Sequence, residues 1–550
     1  MEATMTEGLE EFSEQQKKIL SRFVSNTSGK VFVLHNLPEV LKGALFSRYS
    51  RSNLGLRSLL LKEFILNQDS AFSSIVGKDP SSAEKEADEQ IIAIKKAHDF
   101  YDRILDGYGD DSIAELGGAH LGVENISMLA AKALEESRIG GSPLEKSTRY
   151  ICFDQKVNGE YLFYKEPVLM TSAYRDLYLS TCNRLFATYS KLIPLLSAQM
   201  EEKIPKESHV SKAAYTTALR AKVLDCLRGL LPASSLTNVG FFGNGRFFEQ
   251  LIRKLSGHNL SELQEISKEM LAELSKVIPS FVKRADPATK YCQTYAAFSE
   301  QMKEELHLLA SAHKAQIPQN REPGVFLISH DPDSIMKVAG ALLYEYVDTS
   351  LEDIWKHVRK LSDEEVARIL DAGALFRENR RHKSPRALEL ATFTFEIVAD
   401  FGIYRDLQRH RMLTQERQLL TCNYGYFVPR EIMGTAMEKE YVGAMEEAKK
   451  AYDLMAQELP EEAQYVVPMA YNLRWYFHVN LRALQWMCEL RSSAAGHMSY
   501  RYVAQEMVRK VCQLFPAFER FFRFVDFEGY ELGRMGQEIR REEKKAAPSL

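Results

Sequence analysis

The sequence predicts an α+β fold, largely helical, carried by two tandem copies of one domain. Two echoes and one strand predict it. Val31-Phe-Val-Leu-His-Asn-Leu-Pro38 precedes a stretch containing Gly43-Ala44-Leu45 and Tyr49, and Val325-Phe-Leu-Ile-Ser-His-Asp-Pro332 precedes one containing Gly340-Ala341-Leu342 and Tyr346. Each reads as a short buried strand, a proline turn and an amphipathic helix. Further on, Leu231-Pro232 precedes Asn244-Gly-Arg246, and Val467-Pro468 precedes Asn480-Leu-Arg482, with twelve residues from Pro to Asn in both. Repeats of this length mean duplicated domains, not a solenoid. Thr392-Phe-Thr-Phe-Glu-Ile-Val398 alternates polar and apolar residues, the period of a half-buried strand.

In chain order, residues 1–30 are expected as a helical extension and 31–285 as the first copy. A polar, helical connector follows at 286–322, then the second copy at 323–536. The tail at 537–550, with its Arg-Arg-Glu-Glu-Lys-Lys run, is expected to fray or stay disordered. At 550 residues the chain is too long for one ordinary core, which agrees with two domains. It is 45% hydrophobic and 27% charged, the balance of a soluble globular protein, and its net charge of −4 argues against bulk nucleic-acid binding. The first residues are acidic and polar, unlike a signal peptide, and no apolar run reaches the roughly 18 residues of a membrane helix. Seven cysteines (152, 182, 226, 292, 422, 488, 512) form no C-x-x-C pair. They read as reduced thiols used in packing, so the expectation is a cytoplasmic protein with no disulfide frame and no metal site.

Two clusters carry chemistry. Arg405, Arg409 and Arg411, with His410, place three guanidiniums within seven residues, and guanidiniums bind phosphate and carbonyl edges in a planar, bidentate way. Taken alone, the cluster reads more readily as a solvated basic helix face. Arg482 and Arg491 sit among Leu481, Leu484, Trp486, Met487 and Leu490, a pattern that implies burial and hence partners. In the first copy, Glu145, Ser147 and Arg149 alternate with Lys146 and Thr148. An extended segment would put those three on one face, as a phosphate cradle. An ordinary polar strand or turn is the alternative.

Together these residues resemble the flavin-dependent thymidylate synthases, whose signature runs R-H-R-x-x-S-x-N-E-x-S-x-R-Y. The second copy has its first part, Arg409-His410-Arg411, with Thr414 at the first serine and Gln415 and Glu416 near the Asn-Glu. Leu419 and Thr421 then stand where the later serine and arginine belong. The first copy has the second part intact, Glu145-x-Ser147-x-Arg149-Tyr150, but reads Glu136-Ser137-Arg138 at the first. An upstream element appears as Gly109-Asp-Asp-Ser112-Ile-Ala-Glu115, and more loosely as His382-Lys-Ser384 to Glu389. Sixteen residues before the shared asparagine the first copy has Arg228 and the second Gln464. Eleven residues after it the second copy has Arg491 and the first Leu255. The long, duplicated form found in chlamydiae is the nearest pattern.

The resemblance implies a central antiparallel sheet with helices in each copy. It also implies FAD-dependent reductive methylation of dUMP to dTMP, with methylenetetrahydrofolate and NADPH as co-substrates. Glu145, Ser147, Thr148, Arg149 and Arg228 would hold the phosphate side of dUMP, and Arg409 and Arg491 the base side, with Arg491 catalytic. For FAD it implies Arg409, His410, Arg411, Asn480 and Arg482, with Asn244, Arg246, Ser112, Glu115 and Glu389. The losses are complementary, as expected of one composite site with a decayed reciprocal. Two tandem chains would supply the four domains of a family tetramer, so a homodimer is expected. A non-catalytic nucleotide- or flavin-binding paralogue and a flavoenzyme for another pyrimidine nucleotide remain the alternatives.

Overall fold

A computed structural model describes residues 5–6, 9–49, 52, 54–66, 115–136, 139–320 and 322–546. The chain divides into two compact units that do not follow chain order. The first comprises Met1–Glu124, Ser137–Glu145 and Val239–Ile317, and the second Asn125–Glu136, Lys146–Asn238 and Pro318–Leu550.

A three-stranded sheet is formed by β1 (Gly118–Ser127), β2 (Gly141–Glu145) and β3 (Leu236–Asn244), in the order β1-β3-β2. β2 and β3 are antiparallel, with Leu144 opposite Gly240. The expected buried strand at 31–38 does not form. Val31 and Val33 are 84% and 63% exposed, and only an isolated bridge joins Leu34 to Val24. Instead this run bonds to the turn before it: Ser25 N donates to Val33 O and His35 N to Phe23 O. Lys290–His313 is one helix, capped by Thr289 and exposed along nearly its whole length.

The second unit has a four-stranded antiparallel sheet of β4 (Gly324–His330), β5 (Thr392–Asp400), β6 (Thr414–Arg417) and β7 (Asn472–Asn480), ordered β6-β7-β5-β4. The alternation that predicts β5 has a direct consequence. Phe393, Phe395 and Ile397 point inward, fully buried, opposite Val479, Phe477 and Trp475. Burying each such side chain stabilises by about 1.5–3 kcal/mol.

The Leu-Pro and Val-Pro echo is where the two copies meet. Pro232 and Pro468 form an antiparallel bridge. Ala233 N donates to Val467 O and Met469 N to Leu231 O, both at 2.9 Å; Ser234 N donates to Tyr465 O and Ala470 N to Gly229 O. Each bond has its counterpart with the copies exchanged, so this contact is isologous, the pattern of a two-fold axis inside one chain. The tail departs from expectation, because Met535–Ala546 is a helix and Glu542 accepts a hydrogen bond from Ser211. Packing on the Lys212–Leu227 helix outweighs the solvation of this highly charged run.

Candidate active site

The shared Asn-x-Arg motif has one structural meaning in both copies. β3 and β7 each end in an asparagine that caps the following helix: Asn244 accepts from Phe247 N and Asn480 from Ala483 N. The arginine two residues on then pairs with a glutamate at 2.7 Å, Arg246 with Glu115 and Arg482 with Glu389. Both glutamates are those the upstream element singles out. Ser112 lies outside the described residues.

Asp400 closes β5 and caps the short helix Phe401–Leu407, accepting from Ile403 N. That helix is buried and delivers Asp406 and the Arg409-His410-Arg411 run to one place. Asp406 Oδ2 accepts from both Nη atoms of Arg228 at 3.3 Å. Burial would raise the Asp406 carboxyl, but Arg228, Arg149, Arg409 and Arg491 outweigh it and hold it well below the usual carboxylate range. Those are the four arginines of the two half-groups; Arg228 touches Asp406, and the charges of the other three act on it within the second unit.

Each arginine is then satisfied differently. Arg149 makes four hydrogen bonds with its five N–H donors: Nε and Nη2 donate to Asp225 at 2.8 and 2.7 Å, Nη1 to Tyr500 Oη at 2.8 Å, and Nη2 also to Ala495 O. Arg409 Nε stands 3.7 Å from Glu135, whose carboxylate is already bound to Lys132. Arg491 Nε donates to His410 Nε2 at 2.9 Å. Burial, together with the Arg491 charge, pulls His410 well below its ordinary pKa, so it is a neutral acceptor. Burial also pulls Arg491 down, with Asp406 opposing. Its charge is therefore poorly compensated and suited to a ligand that carries or develops negative charge. The Tyr500 ring lies under both Arg149 and Arg491, 5.4 and 5.6 Å from the guanidinium carbons.

The Glu145–Arg149 segment is not extended, as its alternation suggested. Glu145 ends β2 and is buried, while 148–150 form a turn. Ser147 makes the turn, its hydroxyl accepting from Arg149 N and its carbonyl from Tyr150 N and Ile151 N. Thr148 is buried within it. The shared face proposed for Glu145, Ser147 and Arg149 is therefore replaced by a corner that turns Arg149 toward Asp225. At the reciprocal position Gln464 is 2% exposed; its amide accepts from Leu420 N and donates to Glu461, so no guanidinium remains there.

A separate cavity of about 470 Å³ in the second unit is lined by Arg409, His410, Arg411, Asn480, Arg482 and Glu389. Arg377, Arg380, Lys383 and Trp486, which sequence comparison did not select, line it too. Arg377 is already paired with Glu489, and Arg380 lies over the Trp486 ring.

The sequence reading also missed Asp225, Asp406, Tyr500 and His497. The only signal for the acids was spacing, each lying three residues before a selected arginine. His497 caps the Met498–Leu514 helix, its Nδ1 accepting from Ser499 N, which leaves Nε2–H for Asp225 O at 3.1 Å. Burial and then Arg228 lower its pKa to about 3, against Asp225. The stabilisation from keeping it neutral is complete above about pH 6.5 and is lost as pH falls toward about 3. Burial raises Asp400 to about 6, which works in the opposite sense below that pH. His497→Gln should therefore flatten the fall in urea midpoint between about pH 6.5 and 4.5. Parallel pH profiles for variant and wild type would contradict this.

The family model described as thymidylate synthase complementing protein matches residues 69–280 and again 326–517. The chain belongs to the thymidylate synthase complementing protein family. It is a long form, with two family segments in tandem. A UPF0159 protein of Chlamydia pneumoniae is 55% identical over 97% of this chain and 98% of its own length. A flavin-dependent thymidylate synthase of Clostridium tetani is 27% identical over 35% of this chain and 83% of its own. Among solved structures, a UMP/dUMP methylase from Streptomyces cacaoi bound with 5-Br UMP matches 37% of this chain and 94% of its own, at 20% identity and a TM-score of 0.29. In this family member all seven cysteines are free thiols, and no helix of the described residues is long and apolar enough to cross a membrane.

Proposed function

We propose that this protein converts dUMP to dTMP by flavin-dependent reductive methylation, at a composite site. Arg149 and Arg228 of the first copy supply its phosphate side, and Arg409 and Arg491 of the second its base side. One observation carries the reading: Arg228 pairs with Asp406 at 3.3 Å, three residues before Arg409, and Arg149 and Arg491 lie over one Tyr500 ring, all inside a single compact unit. Random decay of two copies would not leave complementary halves that converge.

The residues around the 470 Å³ cavity fit a flavin dinucleotide. Arg409, Arg411 and Arg482 suit a pyrophosphate, and Trp486, Met412 and Leu413 suit an apolar ring. The resemblance also proposes Asn244 and Arg246 of the first copy as flavin-binding residues. FAD, when bound, supplies reducing equivalents drawn from NADPH, while methylenetetrahydrofolate supplies the carbon. The protein's own residues do the rest. His410, held neutral, orients the Arg491 guanidinium. Arg491 stabilises negative charge developing on the uracil ring as its carbon becomes nucleophilic. Arg409, shared between the cavity and the arginine cluster, bridges nucleotide and cofactor.

The test is dTMP formation, by mass detection, from dUMP, methylenetetrahydrofolate, NADPH and FAD. Product that requires both FAD and NADPH is expected, with calorimetry giving about one tight dUMP per chain because the reciprocal site has lost its guanidinium. A stoichiometry near two would contradict the composite site. Folded, FAD-loaded protein that makes no product would favour a non-catalytic paralogue or a different pyrimidine nucleotide.

A further inference from the structure

Beyond the second family segment, which ends at 517, the chain supplies one more buried guanidinium. Arg534 is 5% exposed and stands just before the Met535–Ala546 helix. Its Nη1 donates to Arg149 O at 3.2 Å, and its plane lies over the Tyr150 ring at 4.3 Å. Its Nη2 is 3.6 Å from Asp225 Oδ1, and neither Nε nor Nη2 has a hydrogen-bond partner. A buried donor left unsatisfied is costly and rare, so such a group points to a ligand.

Arg534 lines a cavity of about 50 Å³, with Arg149, Lys222, Asp225, His497 and Arg501. At about 10–15 Å³ of such space per water, it holds a few waters or one tetrahedral oxyanion and not a nucleobase. The other cations in the wall are already compensated: Lys222 by Glu431 at 2.5 Å, Arg501 by Asp526 at 3.3 Å, and Arg149 by Asp225. Asp225 is thus one carboxylate serving two guanidiniums, nearer to Arg149. An entering anion meets the open edge of Arg534 beside a carboxylate whose charge is already neutralised.

We propose that Arg534 is a phosphate-binding residue, which with Arg149 clamps the phosphate of the nucleotide, so that the segment after the second family domain completes the substrate site. The proposal rests on the nucleotide reading above. Calorimetric titration of the full chain with inorganic phosphate, dUMP and deoxyuridine tests it, on wild type, Arg534→Met and Arg534→Lys. Arg534→Met should weaken phosphate and dUMP by about tenfold to a hundredfold, as loss of one charge-assisted hydrogen bond does. Deoxyuridine affinity should not change, and in turnover the loss should fall on KM for dUMP and not on kcat. Arg534→Lys keeps the charge without the fork and should recover part of the affinity, which also decides the matter if the methionine variant does not fold. Unchanged phosphate and dUMP affinity in Arg534→Met would overturn the proposal and leave the nucleotide reading standing. Equal losses for deoxyuridine, or a wild-type chain that binds no phosphate, would overturn it too. Phosphate that depends on Arg534 but is not displaced by dUMP would instead keep the anion site and remove the nucleotide reading.

Discussion

Arg491→Ala is expected to lower dTMP formation by about a hundredfold to a thousandfold, the cost of removing one preorganised donor to developing charge. FAD should remain bound. Arg491 is on the helix that follows β7, and its Nε is held by a His410 that burial keeps neutral. The Asp406 carboxylate is already shared with Arg228, so Arg491 has charge to offer. Its neighbours Arg409, His410, Arg411 and Arg482 stay in place to line the cavity assigned to flavin. The measurement is single-turnover dTMP formation beside flavin absorbance of the purified variant. An unchanged rate would remove Arg491 from the chemistry and with it the assignment of the base side to the second copy. A colourless variant would show that the helix, and not the guanidinium alone, had been lost.

Arg149→Ala is expected to cost both stability and nucleotide affinity. Removing the guanidinium takes two charge-assisted hydrogen bonds from Asp225, a carboxylate that is 14% exposed. Breaking such a pair from one side costs about 3 kcal/mol. Burial alone would raise the Asp225 carboxyl; Arg149 prevails and holds it below the usual range. The stabilisation is therefore present above the unfolded carboxylate value, near about pH 3.9, and is lost as pH falls through the lower folded value. The gap between wild type and variant in urea midpoint should be full at neutral pH and close in strong acid. Arg149→Ala with Asp225→Ala removes the stranded charge, so it should recover much of the stability while dUMP binding stays weak. Recovery of both together would make Arg149 a structural residue only.

These two residues also show where the sequence could be read and where it could not. Duplication was legible because it leaves equal spacing. The Pro-to-Asn interval recurs, and in the structure each asparagine caps a helix and each following arginine meets its glutamate. β5 was legible because a strand with one buried face needs alternation, and Phe393, Phe395 and Ile397 supply it. The same reasoning failed at 31–38, since whether an apolar run becomes a strand depends on a partner strand distant in sequence. It failed again in the tail, where local charge predicted fraying and contact with a distant helix made Met535–Ala546 ordered.

The proposed half-groups, Arg149 and Arg228 on one side and Arg409 and Arg491 on the other, were drawn from the sequence by itself, because a guanidinium's chemistry travels with its residue. The tertiary structure alone decided what each is bonded to. Asp225 lies far along the chain from Arg149 and Arg534, Asp406 from Arg228, and Tyr500 from Arg149, so no local spacing announces these contacts. Burial, which sets the charge state of His410 and His497 and leaves Arg534 with donors to fill, is a property of the packed unit and of no local pattern.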